Sequence, residues 1–324
     1  MERVKIGVLG TSDIAYRRFL PALLMDENFE YIGIASRDLN KTQRFIDTYG
    51  GKGYKGYNDL IEDSTIQAVY ISLPPALHGE WAEKALIAGK HILVEKPFTT
   101  SFVDTKRLIK LAQEKNLGIH ENYAFLYHSQ LAKIQEIISS GDIGSIYLIR
   151  TSFGFPFRSK EDFRYCKSLG GGALLDCGGY PLLLASRLLG DDVELATARL
   201  QYRDGFDVDL GGFATLVNNR GQGAQIAFGM DHSYKCELEV WGSKGTLLAP
   251  RVFTAPAEYE PELRITINGN EIQIEVPKDN QFFNSIRVFY GTIIDESVRI
   301  RRYEEISKQA LLVSKFTNIS TNIK

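Results

Sequence analysis

The first part of the chain alternates short β-branched runs with longer amphipathic stretches, and this alternation constrains the fold more than any other feature. Such a repeat is typical of βαβ units, in which helices connect parallel strands. Strands are predicted over residues 4–9, 31–36, 66–72, 91–94 and 117–120. Helices are predicted over residues 14–25, 39–49, 76–88 and 106–115, with Pro21 expected to kink the first. Because such crossovers are right-handed, the pattern predicts an α/β Rossmann domain with a doubly wound parallel sheet over residues 1–121.

Beyond about residue 122 the pattern changes to a series of strands with alternating side chains. Strands are predicted over residues 146–153, 194–202, 212–217, 223–230, 235–241, 263–267 and 271–276. Helices are predicted over residues 129–140, 172–189, 281–294 and 303–316. Short turn sequences between the strands favour antiparallel pairing. Residues 122–324 are therefore expected to form a C-terminal α+β domain with a large, mostly antiparallel open sheet, and a length of 324 residues fits about two domains.

Composition excludes several classes of protein. Thirty-eight Lys and Arg against forty Asp and Glu give a net charge of −2, which provides no global field for nucleic acid or an acidic membrane. The sequence has neither an apolar run of about twenty residues nor a signal-peptide core. Its three cysteines are widely spaced and form neither a disulfide framework nor a CxxC pair. These features predict a cytoplasmic protein without a membrane partner. The five histidines lack ligand spacing, so no metal site is predicted.

The turn after the first predicted strand reads Gly-Thr-Ser-Asp-Ile-Ala over residues 10–15 and opens a helix. This is the position of a dinucleotide fingerprint, where a helix N-terminus faces a diphosphate. Ser12 replaces the second glycine of that fingerprint, and the alternative is an ordinary turn capped by Asp13. In the context of a parallel sheet we interpret the turn as a cofactor site. Its predicted contacts are Gly10, Thr11, Ser12, Asp13 and Ile14.

The end of the second predicted strand indicates which cofactor is preferred. Ser36 and Arg37 place a hydroxyl beside a guanidinium, which suits a 2′-phosphate and favours NADPH over NADH. Lys41, one turn further on, is a second candidate cation. Asp38 leaves NADH open as the alternative cofactor, because this carboxylate could bind the ribose and repel a 2′-phosphate. Its position just ahead of a helix also suits an N-cap.

Three segments resemble the Gfo/Idh/MocA oxidoreductase family, and the resemblance covers nearly the whole chain. They are Gly-Val-Leu-Gly-Thr-Ser-Asp-Ile-Ala at residues 7–15, Ala-Gly-Lys-His-Ile-Leu-Val-Glu-Lys-Pro at residues 88–97, and Gly-Gly-Gly-Ala-Leu-Leu-Asp-Cys-Gly-Gly-Tyr-Pro at residues 170–181. The resemblance implies a nicotinamide-binding Rossmann domain and a second domain that supplies the substrate face and the contact of a homodimer or homotetramer. It also implies that Lys96 is catalytic and that Asp176 and Tyr180 occupy the second signature.

The residue types in these signatures suggest a chemistry. Hydride delivery to a ketone leaves negative charge on oxygen, so a proton donor is required. We assign Tyr180 as the donor, Lys96 as the cation that orients the carbonyl and favours the phenolate, and Asp176 as an orienting partner four residues away on one helical face. The roles of Tyr180 and Lys96 are exchangeable at this stage. A tyrosine in place of the histidine of inositol dehydrogenases favours the sugar-reductase branch of the family.

Further candidate residues lie around these motifs. Residues 153–167 interleave aromatic and basic side chains, a combination that suits a base and a diphosphate but that a solvated loop explains equally well. Tyr165 and Tyr234 are candidate substrate contacts, and the resemblance implies that Arg164 lines the cofactor. The remaining candidates for the cofactor cleft are Leu73, Pro74, His78, Glu95 and Asn122.

Within the family, residues 162–165, the Gly-rich segment and residues 228–234 are most similar to the 3-ketoreductases of dTDP-3-keto-deoxysugars. The resulting hypothesis is NADPH-dependent reduction of a ring ketone of a keto-sugar that is linked to a nucleotide. An NADP-dependent dehydrogenase of a free aldose or a dihydrodiol is the enzymatic alternative. A non-catalytic regulator that senses a dinucleotide is the alternative of another class, and the presence of both Lys96 and Tyr180 argues against it.

Overall fold

The computed structural model describes residues 2–323, and for residues 321–323 it describes the backbone alone. Contacts divide the chain into two units. The first unit comprises the residues up to Tyr123 together with Phe282–Ala310, and the second comprises Ala124–Gln281 and the described residues from Leu311 onwards. The predicted boundary at residues 121 and 122 lies beside the first of these breaks. The return of Phe282–Ala310 to the first unit differs from the predicted continuous second domain.

The first unit contains, among its described residues, a six-stranded sheet with the order β3-β2-β1-β4-β5-β6, and all of its paired strands are parallel. Its strands are β1 Val4–Leu9, β2 Phe29–Ser36, β3 Lys52–Lys55, β4 Ala68–Ile71, β5 His91–Val94 and β6 Ile119–Glu121. This order is that of the doubly wound dinucleotide-binding fold, so the predicted fold class is confirmed. The sequence pattern missed β3, because a four-residue edge strand reading Lys-Gly-Tyr-Lys has almost no apolar alternation.

Helices connect these strands. They are α1 Leu20–Leu23, α2 Gln43–Tyr49, α3 Tyr57–Ile61, α4 His78–Ile87 and α5 Phe102–Glu114, with short 3₁₀ helices at Leu39–Thr42 and Pro75–Leu77. A π-helical stretch, Ala15–Phe19, runs directly into α1, where Pro21 lies in the first turn. A proline lacks the amide hydrogen and crowds the carbonyl four residues earlier. A kink was predicted at Pro21, and the structure shows a distortion of the helix there in the form of the π-helical stretch that precedes the proline.

Both faces of the parallel sheet are buried. Val69 and Ile71 of β4 belong to one apolar cluster, which includes Leu108 of α5, whereas Tyr70 belongs to the opposite cluster with Phe19. The rings of Tyr70 and Phe19 stack with their centroids 3.6 Å apart. Strands that are covered on both faces read as continuous apolar runs, which is why the sequence predicted them readily.

The second unit contains a sheet of nine strands within the described residues, in the order β14-β13-β12-β11-β7-β10-β9-β8-β15. The strands are β7 Ile146–Gly154, β8 Glu194–Gln201, β9 Gly211–Val217, β10 Gly223–Gly229, β11 Lys235–Gly242, β12 Gly245–Ala249, β13 Glu262–Ile267, β14 Asn270–Glu275 and β15 Thr321–Ile323. Two pairs, β7 with β10 and β8 with β15, are parallel, and the other pairs are antiparallel. The prediction of a large, mostly antiparallel sheet is confirmed.

The helices of the second unit include α6 Ser129–Ser140 and α7 Gly179–Leu189. A π-helical stretch, Leu174–Gly178, runs directly into α7, so the single helix predicted over residues 172–189 begins with a wider turn. Short 3₁₀ helices lie at Ala124–Tyr127, Phe163–Tyr165 and Lys167–Leu169.

The last two helices, α8 Gln281–Ile294 and α9 Glu296–Ile319, explain why the chain returns to the first unit. Phe289 of α8 is fully buried in the cluster around Tyr70, and its ring stacks on Phe29 with the centroids 5.9 Å apart. Burying such a side chain contributes roughly 1.5–3 kcal/mol. Tyr303 of α9 donates its hydroxyl hydrogen to the carbonyl of Leu117 at 2.6 Å. Within residues 2–323, no helix combines the length and the apolar character that a membrane span requires.

Candidate active site

The turn after β1 requires a glycine. Gly10 has a φ of +99°, and a Cβ there would lie 2.8 Å from the Leu73 side chain and 3.1 Å from the Ser72 carbonyl oxygen. Both the backbone conformation and the lack of space therefore exclude other residues. This turn follows the carboxyl end of a parallel strand, where open α/β sheets bind ligands.

The helix that follows this turn is capped by Ser12, whose Oγ accepts a hydrogen bond from the amide of Ala15 at 3.2 Å. Asp13 is exposed and pairs with Arg17, so the suggested alternative of an Asp13 cap is wrong. Thr11 and Ile14 are half-buried beside it. A helix N-terminus behind a turn that admits only glycine fits a dinucleotide, because its amides and positive dipole end favour phosphate.

The end of β2 presents the residues that were predicted to select NADPH. Ser36 is buried, and its Oγ accepts a hydrogen bond from the amide of Asp38 at 3.3 Å. Asp38 in turn accepts from the amide of Asn40 at 3.1 Å, which supports its reading as an N-cap. Arg37 and Lys41 are exposed. Burial raises the pKa of the Tyr57 hydroxyl, and the charge of Arg37 together with its hydrogen bond to Tyr57 offsets part of that rise.

Lys96 lies on the loop that follows β5, and side chains from other elements form hydrogen bonds with the backbone of the two residues after it. The carbonyl of Pro97 lies 2.7 Å from Nδ1 of His78, and the amide of Phe98 donates to Oε1 of Glu121 at 2.7 Å. Glu121 ends β6, where it is in register with Val94 of β5. The topology of the parallel sheet thus brings together the lysine loop and a carboxyl group that the sequence analysis did not select.

His78 was predicted to line the cofactor cleft, and the structure shows a different arrangement. The side chain is fully buried, and its Nε2 lies 2.7 Å from the carbonyl of Leu73 while its Nδ1 faces Pro97. Burial lowers the pKa of the imidazole, the two carbonyls raise it, and Lys96 lowers it, with a net decrease. His78 therefore joins the turn at Leu73 and Pro74 to the loop of Lys96, and its ring nitrogens are directed at protein carbonyls.

Glu95 and Asn122, two further cofactor candidates, belong to a buried hydrogen-bond chain. Oε1 of Glu95 accepts from the Tyr70 hydroxyl and from Nδ2 of Asn122, both at 2.6 Å. Oδ1 of Asn122 accepts from the hydroxyl of Ser285 at 2.8 Å, and that hydroxyl lies 2.9 Å from Nε2 of His120. Because Ser285 has one hydrogen to donate, Nε2 of His120 is the donor in this contact. Burial raises the pKa of Glu95, whereas it lowers that of His120 far below its usual value.

In the second unit, the Gly-rich segment is fixed by an aspartate that the sequence analysis missed. Gly172 has a φ of +120°, and a Cβ there would lie 2.5 Å from Oδ1 of Asp209. Oδ2 of Asp209 accepts from the amide of Leu174 at 2.7 Å. Burial raises the pKa of this carboxyl to about 6, although the amides of Leu174 and Ala173 act in the opposite direction. Asp209 lies 35 residues from Leu174, so no local pattern could have identified the pair.

Asp176 pairs with the arginine that the family resemblance placed at the cofactor. Its Oδ2 accepts from Nε of Arg164 at 2.9 Å, and Nη1 of Arg164 lies 3.1 Å from Oδ1 of Asp162. Burial lowers the pKa of Arg164, but the two carboxylates outweigh it and the net shift is upward. Since Asp176 lies in the π-helical stretch Leu174–Gly178, the spacing argument for an ordinary α-helix does not apply directly, and a shared face with Tyr180 stays a prediction.

Tyr180, the predicted proton donor, lies at the start of α7 among three phenylalanine rings. Its ring centroid is 5.6 Å from that of Phe125, 5.0 Å from that of Phe153 and 5.7 Å from that of Phe253. Edge and tilted contacts of this kind restrict how the phenol ring can turn. The side chain itself is half-buried.

The two other predicted substrate tyrosines differ in exposure. Tyr165 is buried, and its hydroxyl donates to the carbonyl of Met230 at 2.9 Å and accepts from the amide of Arg158 at 3.1 Å. Tyr234 is 49% exposed, with its hydroxyl 2.8 Å from Oγ1 of Thr254. The Tyr165 hydroxyl therefore connects the backbone at Arg158 to the backbone at Met230, whereas the Tyr234 ring is accessible. Among the residues that the structure describes, no group of three or more His, Cys, Asp or Glu side chains is arranged to hold a metal ion.

Comparisons with known proteins agree with this architecture. Residues 4–123 match the family model described as an oxidoreductase family with an NAD-binding Rossmann fold. Residues 131–248 match the model described as the GFO/IDH/MocA C-terminal domain. Together the two matches extend over parts of both structural units.

Among curated proteins, the chain is 40% identical over 310 residues to the dTDP-3,4-didehydro-2,6-dideoxy-alpha-D-glucose 3-reductase of Actinomadura kijaniata, covering 96% of this chain and 93% of that protein. It is 42% identical over 288 residues to the protein of the same name from Streptomyces violaceoruber, covering 88% and 84% of the two chains. The crystal structure of KijD10, a 3-ketoreductase from Actinomadura kijaniata in complex with NADP and TDP-benzene, aligns with a TM-score of 0.96 at 39% identity, covering 99% of each chain. The predicted family is confirmed, and the chain belongs to the Gfo/Idh/MocA oxidoreductases.

Proposed function

We propose that this chain is an NADPH-dependent 3-ketoreductase that acts on a nucleotide-linked keto-deoxysugar. The observation that carries the proposal is the 40% identity, over 96% of the chain, with a 3-reductase of a dTDP-linked didehydro-dideoxyglucose. The complex of KijD10 with NADP and TDP-benzene supports the cofactor and the nucleotide part of the substrate.

The residues around the turn after β1 fit the cofactor, which supplies a hydride when it is bound. The tight turn at Gly10 and the helix N-terminus that Ser12 caps would hold the diphosphate of the cofactor. The exposed guanidinium of Arg37 and the hydroxyl of Ser36 suit a 2′-phosphate, with Lys41 as a further cation.

The chemical roles follow from what each side chain is able to do. Tyr180 donates a proton to the ketone oxygen as negative charge develops there. The ammonium of Lys96 orients the same carbonyl and stabilises that charge. Asp176, paired with Arg164 at 2.9 Å, keeps the guanidinium in place near the start of the Tyr180 helix. Exchange of the roles of Tyr180 and Lys96 remains the alternative.

A cluster of aromatic and basic side chains supports a nucleotide-linked substrate. The ring of Phe157 lies 4.7 Å from that of Tyr165 and 6.0 Å from that of Phe206. The guanidinium of Arg203 lies 5.7 Å from the Phe157 ring and 5.0 Å from the Phe206 ring. A base can stack on such rings, and a diphosphate can pair with such cations. Phe206 and Arg203 extend the aromatic and basic segment that the sequence analysis noted at residues 153–167.

Thermal-shift measurements with NADPH or NADH, each with and without dTDP, test the proposal. We expect NADPH to raise Tm more than NADH, and dTDP to add a further shift in the presence of NADPH. Arg37→Ala should remove most of the preference for NADPH while leaving the response to NADH intact, because only NADPH carries the 2′-phosphate. Turnover of a dTDP-linked 3-keto-deoxysugar completes the test. An absence of both a dTDP response and turnover would instead favour a free aldose or a dihydrodiol.

We further propose that the protein is cytoplasmic and forms a homodimer or homotetramer, without a nucleic-acid or membrane partner. Tyr147 and Trp241, on the paired strands β7 and β11, are 61% and 44% exposed, and their ring centroids are 5.3 Å apart. Aromatic side chains of this size are favourable at protein interfaces. Light scattering should give the mass of two or four chains, and the mass of one chain would contradict the proposed assembly.

A further inference from the structure

The loop that carries Lys96 is fixed by a carboxyl group on the neighbouring strand. Glu121 is the last residue of β6 and is in register with Val94 of β5, two residues before Lys96. Its Oε1 accepts the hydrogen bond of the Phe98 amide at 2.7 Å, two residues after Lys96. A carboxylate that binds a backbone amide makes a strong, charge-assisted hydrogen bond. Glu121 therefore restrains the loop close to the lysine without belonging to the Glu-Lys-Pro motif.

Charged groups on the lysine loop also act on Glu121. Burial raises the pKa of this carboxyl to about 7, and the neighbouring Glu95 raises it as well, whereas the Phe98 amide and the Lys96 ammonium lower it. Glu95 is held by the hydroxyl of Tyr70 and the side-chain amide of Asn122. On the other side of the loop, α4 contributes His78, which faces the carbonyl of Pro97.

We propose that Glu121 is a positioning residue for Lys96, which it serves both by anchoring the Phe98 amide and by placing a negative charge beside the ammonium. The inference rests on the proposed role of Lys96 in ketone reduction. It adds a second carboxyl group, from another strand, to the surroundings of the catalytic lysine.

Protonation of Glu121 should make the rate of ketone reduction depend on pH. With a pKa of about 7, Glu121 is a carboxylate above neutral pH and gains a proton as the pH falls below 7. The protonated group no longer attracts the ammonium, and it holds the Phe98 amide more weakly. At saturating substrate, kcat should therefore decline as the pH falls below 7 and level off near the kcat of a variant that carries no charge at this position.

The test compares kcat and KM of the wild type and Glu121→Gln between pH 5.5 and 9. The glutamine oxygen still accepts from the Phe98 amide, but it carries no charge at any pH. We expect Glu121→Gln to have a lower kcat above pH 7, to lose the decline below pH 7, and to keep the KM for NADPH. Glu121→Asp keeps the charge and should retain the decline. Glu304→Gln removes an exposed carboxylate and serves as the matched control for net charge.

The outcomes separate this inference from the proposed function. If the wild type turns over no nucleotide-linked keto-sugar, the proposed function fails and the reaction must be sought elsewhere. If the wild type is active and Glu121→Gln keeps the wild-type decline below pH 7, the inference about Glu121 is overturned while the proposed function stands. A purely structural role would change Tm in Glu121→Gln without changing the pH profile of kcat, and that result also counts against the inference.

Discussion

In each unit of the protein, a carboxyl group accepts a hydrogen bond from a main-chain amide close to a predicted catalytic residue. In the first unit, Glu121 accepts from the amide of Phe98, two residues after Lys96. In the second unit, Asp209 accepts from the amide of Leu174, two residues before Asp176. Burial raises the pKa of both carboxyl groups, to about 7 for Glu121 and about 6 for Asp209.

The two carboxyl groups differ in the groups that act on them. Glu121 is affected by the charges of Lys96 and Glu95, whereas the contributions that oppose the burial of Asp209 come from backbone amides. The raised pKa of each carboxyl group makes the free energy of unfolding fall as the pH rises, but only Glu121 also acts on a charge that is proposed to take part in the reaction. Glu121 is thus proposed to adjust a reacting group, whereas Asp209 fixes the backbone at the start of the π-helical stretch Leu174–Gly178.

The largest expected effect is the loss of kcat when Tyr180, the predicted catalytic tyrosine of the second unit, is replaced. Tyr180→Phe removes the proposed proton donor and keeps the ring among its phenylalanine neighbours, so kcat should fall about 10²- to 10⁴-fold. The affinity for NADPH should stay unchanged, because Tyr180 is not among the residues proposed to bind the cofactor. Steady-state kinetics with a dTDP-linked keto-sugar and a direct measurement of NADPH binding give both quantities.

A matched control for Tyr180→Phe is Tyr290→Phe, which removes a partly buried hydroxyl from a tyrosine that packs on Phe29 in the first unit. This variant should keep the wild-type kcat. Unchanged turnover in Tyr180→Phe would transfer the donor role to Lys96, the exchange that the sequence analysis left open.

The sequence could predict those parts of the fold and site that follow from local rules. A buried parallel strand followed by a glycine turn and a helix is visible in residues 4–19, and the same holds for the strand that leads into Lys96. Glu121, Asp209 and Ser285 carry no such signal, because each acts on a residue that is distant in the chain. Ser285 and Asn122 are 163 residues apart, and only the packing of α8 on the first unit brings them together.

The titration of Asp209 should affect stability and, unlike that of Glu121, leave the reaction unchanged. Because burial raises its pKa to about 6, the folded state binds this proton more tightly than the unfolded state does. Asp209 should therefore lower the free energy of unfolding as the pH rises from about 4 to 6, by about 3 kcal/mol in total. Asp209→Asn removes this titration, and its side-chain oxygen still accepts from Leu174. Urea unfolding at pH 4.5 and pH 7 should thus show the variant gaining stability relative to the wild type at the higher pH.

Asp207→Asn, an exposed neighbour on the same loop, is the control for the change in charge. The contrast between the two carboxyl groups requires that Asp209→Asn also keep the wild-type decline of activity below pH 7. If Asp209→Asn changed that decline and left the stability unaffected, Asp209 would belong with Glu121 as a group coupled to the reaction, and the distinction between the two would be lost.

The smallest effect is expected from the helix that returns to the first unit. Ser285→Ala leaves the side-chain oxygen of Asn122 and Nε2 of His120 without the hydroxyl that links them, and such a loss costs about 1–3 kcal/mol of unfolding free energy. The decline of activity below pH 7 should remain where it is in the wild type, since Ser285 is linked to Glu95 through Asn122 while Glu121 is held by Phe98. Urea unfolding and the kinetic pH profile measure the two effects, with Ser307→Ala in α9 as a control for a serine that is not in this chain. A shifted decline in Ser285→Ala would mean that the Glu95 chain, rather than Glu121, governs the charge around Lys96.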